Sequence, residues 1–205
     1  MSKKIIPLFF IPLIFCGCVK DRVPDPATLN VPQEVLATEN FDGAAFLAPN
    51  FPAGWNAGPD SGWATDSSNF STNYSGASGL RNVVVKNSTT LAAFDTLISA
   101  PYSTINYGSI SVIYGVRRSS HFSDNGSAIA SFAYSINGGV TWINLPYTEA
   151  TGDSNWYLIN NGVKIVLPAN AGNCADLMFR WIASTVPTPS GSYRIDDFQV
   201  QGTHM

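Results

Sequence analysis

Along most of the chain apolar and polar positions alternate in short runs, and clusters of Gly, Asn, Pro and Ser separate the runs. A period of two places one set of side chains on one face of a strand, so the pattern predicts a succession of half-buried β-strands from Val35 onward. Ile110, Val112, Tyr114 and Val116 share one face of such a strand, and Ala128, Ala130, Phe132, Tyr134 and Ile136 share one face of the next. Val163, Ile165 and Leu167 continue the pattern between Gly162 and Pro168, as do Leu177, Phe179, Trp181 and Ala183 between Asp176 and Ser184. No stretch sustains a helical period, and no repeat or second domain is visible. The expected fold is all-β: an antiparallel two-sheet β-sandwich over residues 35–202, followed by a short tail at 203–205.

Two local irregularities refine the pattern. Asn137-Gly138 separates the strand ending at Ile136 from one expected near Val140, and Asn-Gly is a strong hairpin signal because both residues tolerate positive φ. The segment from Ser135 to Trp142 resembles the Asp-box of sialidases, with Asn in place of the aspartate, and one copy argues for a hairpin only. Near the C-terminus the apolar parity runs through Tyr193 and Ile195, then jumps to Phe198 and Val200, with Asp196-Asp197 at the shift. Because side chains alternate strictly along a strand, the jump predicts a β-bulge or a change of facing sheet at the two aspartates. A carboxylate brought close to the core there must be paired or bind a metal.

The N-terminus changes the picture of where the protein works. Lys3 and Lys4 precede an apolar run of 11 residues, Ile5 to Phe15, and then Gly17-Cys18. That run is far shorter than the roughly 20 residues of a membrane-spanning helix, and it has the anatomy of an export signal. A small residue before a cysteine after an apolar stretch resembles the lipobox of bacterial lipoproteins. The resemblance implies cleavage of residues 1–17 and lipidation of Cys18. Cys16 follows bulky Phe15, which makes Cys18 the better acceptor, and an ordinary cleaved signal peptide is the alternative. Residues 18–34 hold three prolines and few apolar anchors, and read as a tether. Lys20-Asp21 resembles the charged signal that sends lipoproteins of Bacteroidota to the cell exterior, which implies an outer-membrane, surface-exposed anchor, with a periplasm-facing one as the alternative.

Removing Lys3 and Lys4 leaves 9 basic residues against 14 acidic ones, a formal charge of −5. A phosphate backbone selects clustered Lys and Arg, so nucleic acid is excluded as a partner class. With Cys16 removed and Cys18 lipidated, Cys174 is alone, and no disulfide is available within the domain.

Several further segments fall in a recognisable order: Glu39-Asn40-Phe41-Asp42, Phe51-Pro52-Ala53-Gly54-Trp55, Leu97 to Pro101, Tyr134 to Trp142, Phe179-Arg180-Trp181 and Tyr193 to Phe198. Their order and spacing resemble the choice-of-anchor J or MAM-like jelly-roll domains of exported Bacteroidota proteins, over about residues 36–202. The resemblance implies a jelly roll whose first and last strands lie side by side, used as a non-catalytic module. Related carbohydrate-binding jelly rolls hold a structural calcium where those strands meet. Here that position would draw on Glu39 or Asp42 and Asp196 or Asp197, completed by carbonyl oxygens. In the alternative without metal, Asp197 caps a turn or accepts backbone hydrogen bonds, and Arg194 or Arg180 pairs the other carboxylate. The dense D-x-D-x-D-G calcium loop is absent.

Catalytic signatures are missing: there is no G-x-S-x-G elbow, no His-Glu-x-x-His pair and no phosphate-cradling loop. Ser119, Ser120, His121 and Asp124 share one stretch, and read as a polar turn. Trp55, Trp63, Tyr74, Trp156 and Tyr157 lie in Gly-, Ser- and Asn-rich loops, where aromatic faces beside amides suit stacking on sugar rings; the competing role is closing the ends of the core. Asp95-Thr96-Leu97 also matches a short O-glycosylation motif of Bacteroidota. The expected function is a lipid-anchored surface binding module for glycans, with a structural or protein-interaction subunit of an envelope complex as the second reading.

Overall fold

The computed structural model describes residues 31–43, 51–58, 62–87, 93–122, 130–185 and 191–205, which belong to one compact unit, Val31–Met205. The signal peptide, Cys18, most of the tether and Asp124 lie outside the described residues.

Among the described residues twelve strands form two antiparallel sheets: β1 (Glu34–Glu39), β2 (Asn56–Ala57), β3 (Ala64–Asp66), β4 (Asn82–Lys86), β5 (Ala93–Ile98), β6 (Tyr107–Arg118), β7 (Ala130–Ser135), β8 (Ile143–Asn144), β9 (Trp156–Leu158), β10 (Ile165–Val166), β11 (Met178–Thr185) and β12 (Ser192–His204). The larger sheet runs β10-β6-β12-β4-β3, with β1 also on β12 and β9 also on β6; the smaller runs β2-β5-β11-β7-β8. Among the described residues there is no α-helix. The architecture is the expected two-sheet sandwich of jelly-roll type, with the first and last strands paired.

Long strands form where the alternation is strict. On β11 the burial alternates without a break, and Leu177, Phe179, Trp181 and Ala183 all face the core. Ile110, Val112, Tyr114 and Val116 are likewise buried on β6. Between the sheets the aromatics interlock: Trp181 lies 4.9 Å from Phe132, 5.3 Å from Phe198 and 5.6 Å from Trp55 by ring centroids. Burying such rings is the largest favourable contribution to these sheets, whose described residues hold a single, free cysteine.

The structure departs from the expected boundaries in three places. Thr203 and His204 are the end of β12, paired with Gly108 and Tyr107, because the edge of β6 offers their backbone hydrogen bonds; they are not a tail. Val163 is exposed, since a 3-10 turn at Ile159–Gly162 leaves only Ile165–Val166 as strand. The hairpin after β7 returns at Ile143 rather than Val140, and the positive φ values fall on Gly138 and Gly139. Asn137 instead ties the loop from within: its Oδ1 accepts from Ser135 Oγ (2.8 Å) and Thr141 N (3.0 Å), and its Nδ2 donates to Thr141 Oγ1 (3.0 Å).

Candidate functional site

The bulge expected at Asp196-Asp197 is present and marks a seam. On β12, Asp196 pairs with Gly115 and Gln199 with Ile113, so three steps on one strand oppose two on the other. On the opposite edge β12 pairs with β4 up to Ile195 and with β1 from Phe198. Asp197 takes φ 50, a left-handed conformation that aspartate tolerates better than most residues.

Of the four candidate metal carboxylates, Asp196 and Asp197 form the bulge, and Glu39 and Asp42 lie at and just past the end of β1, where Glu39 pairs with Phe198. Asp196 is fully buried; its Oδ1 accepts Asp197 N–H at 2.8 Å, while its Oδ2 makes no hydrogen bond of ordinary geometry. Burial, reinforced by the Asp197 and Asp42 charges, pushes the Asp196 carboxyl up to about 8, moderated by the Ser71 hydroxyl. Asp42 Oδ1 accepts Arg81 N–H at 2.7 Å, and Glu39 Oε1 accepts Phe41 N–H at 2.8 Å. Burial also raises Glu39, with Asp42 adding to it. Asp197 Oδ2 accepts the Tyr74 hydroxyl and Ser78 N–H. Among the described residues no three His, Cys, Asp or Glu side chains converge as a metal site. The buried Asp196 carboxylate, with only the Ser71 hydroxyl and the Asp197 N–H beside it, is chemically suited to contact with a hard cation, for which carbonyls would supply the remaining ligands. Neither arginine pairs these acids: Arg194 binds Asp66 at 2.9 Å, and Arg180 stacks 4.6 Å over Trp142.

A groove opens beside the seam on the outer face of the larger sheet. Tyr74 lies flat across Gly115, where any Cβ would collide with its hydroxyl, and that close approach lets it reach Asp197. The loop carrying Tyr74 thereby covers β6 and β9 and buries Trp156, whose Nε1 donates to Asn69 O at 3.0 Å. Between loop and sheet lie two clefts of about 350 and 240 Å³ that share Asn73. The amides of Asn69, Asn73, Asn155 and Asn161, the rings of Phe70, Tyr74, Trp156 and Tyr157, and Arg117 line them. Asn69, Asn73, Ser154 and Asn161 all adopt positive φ, which turns the backbone sharply around the groove. Phe70 and Tyr157 are exposed, and the Tyr157 hydroxyl donates to Asp153 Oδ2 at 2.6 Å.

The aromatic platform expected from the loops is thus divided. Tyr74, Trp156 and Tyr157 come together at the groove. Trp55 and Trp63 do not: they are core residues, Trp55 at 5.0 Å from Phe41 and Trp63 edge-on to Tyr193 with its Nε1 on Asp95 O at 3.1 Å. The reason is position, since Trp55 immediately precedes β2 and Trp63 immediately precedes β3, short strands held on the edges of β5 and β4. His121 and Ser119 belong to a structural turn, in which Ser119 Oγ accepts Ser192 N–H at 2.7 Å and Asn87 Nδ2 donates to His121 O at 2.9 Å. Asp95-Thr96-Leu97 lies inside β5 with the Asp95 carboxylate taken up by Gly62 N–H and the Thr185 hydroxyl. Cys174 is half-buried, its thiol toward Ile136 O at 3.5 Å.

Phe70, Asn73, Arg117 and Asn161 were not among the expected site residues. Arg117 shows in the sequence only as an outward position of β6, and the signal of the other three is composition: Ser67 to Gly79 and Asn160-Asn161-Gly162 are rich in Asn, Ser and Gly, which marks loops without saying which face they cover.

No protein-family model and no curated protein sequence matches the chain. Among solved structures it is similar to the K2 cleaved adhesin domain of Lys-gingipain, at 18% identity and a TM-score of 0.53, covering 84% of this chain and 99% of that one. The K3 cleaved adhesin domain of Lys-gingipain from Porphyromonas gingivalis is similar at 13% identity and a TM-score of 0.51, covering 83% and 99%. The CBM22-1 xylan-binding domain from Paenibacillus barcinonensis aligns at 13% identity over 84% and 96%, with a TM-score of 0.48. What the chain shares with the adhesin domains at these identities is the fold, a two-sheet antiparallel β-sandwich.

Proposed function

We propose that the protein is a non-catalytic binding module of the cell envelope and that it holds a glycan in the groove between the Tyr74 loop and β9. The observation that carries this reading is the lining itself, in which exposed Phe70 and Tyr157 flank a trough of asparagine amides. Aromatic faces cover the apolar faces of sugar rings, and amides match their hydroxyls. A glycan array probed with the purified protein is expected to return oligosaccharide ligands. Tyr157→Ala and Phe70→Ala should each weaken the best of them about tenfold in calorimetry, the effect of losing roughly 1.4 kcal/mol of contact. Unchanged affinity in both variants would place the ligand elsewhere.

A second reading, docking to an envelope protein, is favoured by the outer face of the smaller sheet, where Phe94 is 80% exposed on the same face as half-buried Ile98 and Ile182. An array without hits, together with loss of a complex on Phe94→Ser, would select it.

The same reading places the protein on the outer membrane by lipid at Cys18, facing the cell exterior, with the tether spacing the sandwich from the bilayer. Several acyl chains, at about 0.8 kcal/mol per buried CH₂, make attachment effectively permanent. Cys18→Ala is expected to take up no labelled palmitate and to leave the membrane fraction; a variant that labels and fractionates like the parent overturns the anchor. Structural calcium at the seam, drawing on Glu39 or Asp42 and on Asp196 or Asp197, completes the proposal.

A further inference from the structure

We propose that the groove selects an anionic glycan, and that Arg117 is the residue that reads the charge. The inference rests on the glycan reading above and adds the class of sugar.

Arg117 lies on the outward face of β6, opposite Trp156 on β9, and lines the smaller cleft with Phe70 and Asn73. Its Nε–H donates to Ser154 O at 2.7 Å, a carbonyl aimed by the positive φ of Ser154. That bond fixes the plane of the guanidinium and leaves both Nη groups for a ligand. A guanidinium held this way is preorganised for a two-pronged contact with a planar carboxylate or with two oxygens of a sulfate ester.

The surrounding acids are turned elsewhere. Asp66 is paired with Arg194, Asp153 accepts from Tyr157 and Asn155, and Asp197 accepts from Tyr74 and Ser78. Among the described residues no carboxylate pairs with Arg117. Partial burial and the neighbouring Arg194 charge both disfavour its charged form, a cost that an incoming anion relieves. On a chain with more acidic than basic residues, this is a local positive site inside an amide-lined trough.

Calorimetry on the purified protein with trigalacturonate, its neutral methyl ester and a κ-carrageenan tetrasaccharide, sulfated but free of carboxylates, tests the inference. One anionic probe is expected to bind at least about tenfold tighter than the ester, as a hydrogen-bonded charge pair implies. The probe that does so identifies the group as carboxylate or sulfate. The preference should shrink as salt rises. Arg117→Gln should bring the ratio of anionic to neutral affinity close to one, and Arg117→Lys should restore part of it. If Arg117→Gln fails to fold, the ratio and its salt dependence in the parent protein decide. Equal binding of charged and neutral probes overturns the anionic inference and leaves the glycan reading standing. So does binding of neutral glycans on the array without any of the three. An array with no hits removes the glycan reading itself.

Discussion

Trp181→Ala is expected to remove at least about a fifth of the stability of the domain, and most of it if the domain is marginal. The indole is fully buried at the centre of the aromatic cluster, between Phe132 at 4.9 Å and Phe198 at 5.3 Å, with Trp55 stacked at 5.6 Å and Tyr114 edge-on at 5.7 Å. Truncating such a ring costs about 3–5 kcal/mol, against a total of roughly 5–15 kcal/mol for a folded domain. Its Nε1 faces the buried Tyr114 hydroxyl, so truncation also takes a hydrogen-bonding neighbour from that hydroxyl. The packing loss is the larger effect. Thermal unfolding should show a midpoint about 10 °C lower, at 2–4 °C per kcal/mol for a domain of this size. A shift under about 3 °C would mean that the two sheets do not share one cooperative core.

In metal-free buffer with EGTA, stability should fall as the pH rises from about 4 to about 8. The sign follows from Asp196: its carboxyl is at about 8 in the folded state against an ordinary value of 3.8, so between these limits the folded state holds a proton that the unfolded chain has released. The stabilisation is complete below the unfolded value and is lost as pH climbs through the folded one, at up to about 1.4 kcal/mol per pH unit. Burial raises Glu149 and Glu39 in the same direction, so they add to the slope from the lower end. Asp196→Asn should remove most of the slope and leave the protein more stable than the parent at pH 8. Calcium should reverse the trend in the parent protein, because a cation favours the ionised carboxylate, and a hundredfold excess over Kd adds about 2.7 kcal/mol. A flat profile in EGTA would show that Asp196 titrates as an ordinary acid. A parent protein indifferent to calcium at pH 8 would remove the metal from the seam.

The alternation of apolar residues carried most of the fold because burial on one side of a strand forces a period of two. β6, β7 and β11 stand where that period is strict. The bulge was legible for the same reason: only an extra residue can move Phe198 and Val200 back to the core after Tyr193 and Ile195. Short strands such as β2, β8 and β10, two residues each, leave no period to read, and their existence depends on a long neighbour offering its edge.

Loops obey no such constraint. Trp55 and Trp156 sit in similar Gly- and Asn-rich surroundings, yet one stacks on Trp181 inside the sandwich and the other lies under the Tyr74 loop outside it. Nothing local distinguishes them, since burial of a loop residue is decided by which sheet the loop folds across. Arg117 was readable as an outward strand position, but its lack of a carboxylate partner depends on Arg194 taking Asp66, which is 128 residues away in the chain.

The sequence by itself determined the all-β class, the strand faces that make the core and the parity break at Asp196-Asp197, because each follows from near-neighbour geometry along one chain. Tertiary structure alone decided that β1 and β4 meet end to end at that break and that Tyr74 crosses Gly115 to reach it. It alone gathered Phe70, Asn73, Arg117 and Tyr157 around one trough. Those contacts join segments far apart in sequence, and their energies exist only once the sheets have paired.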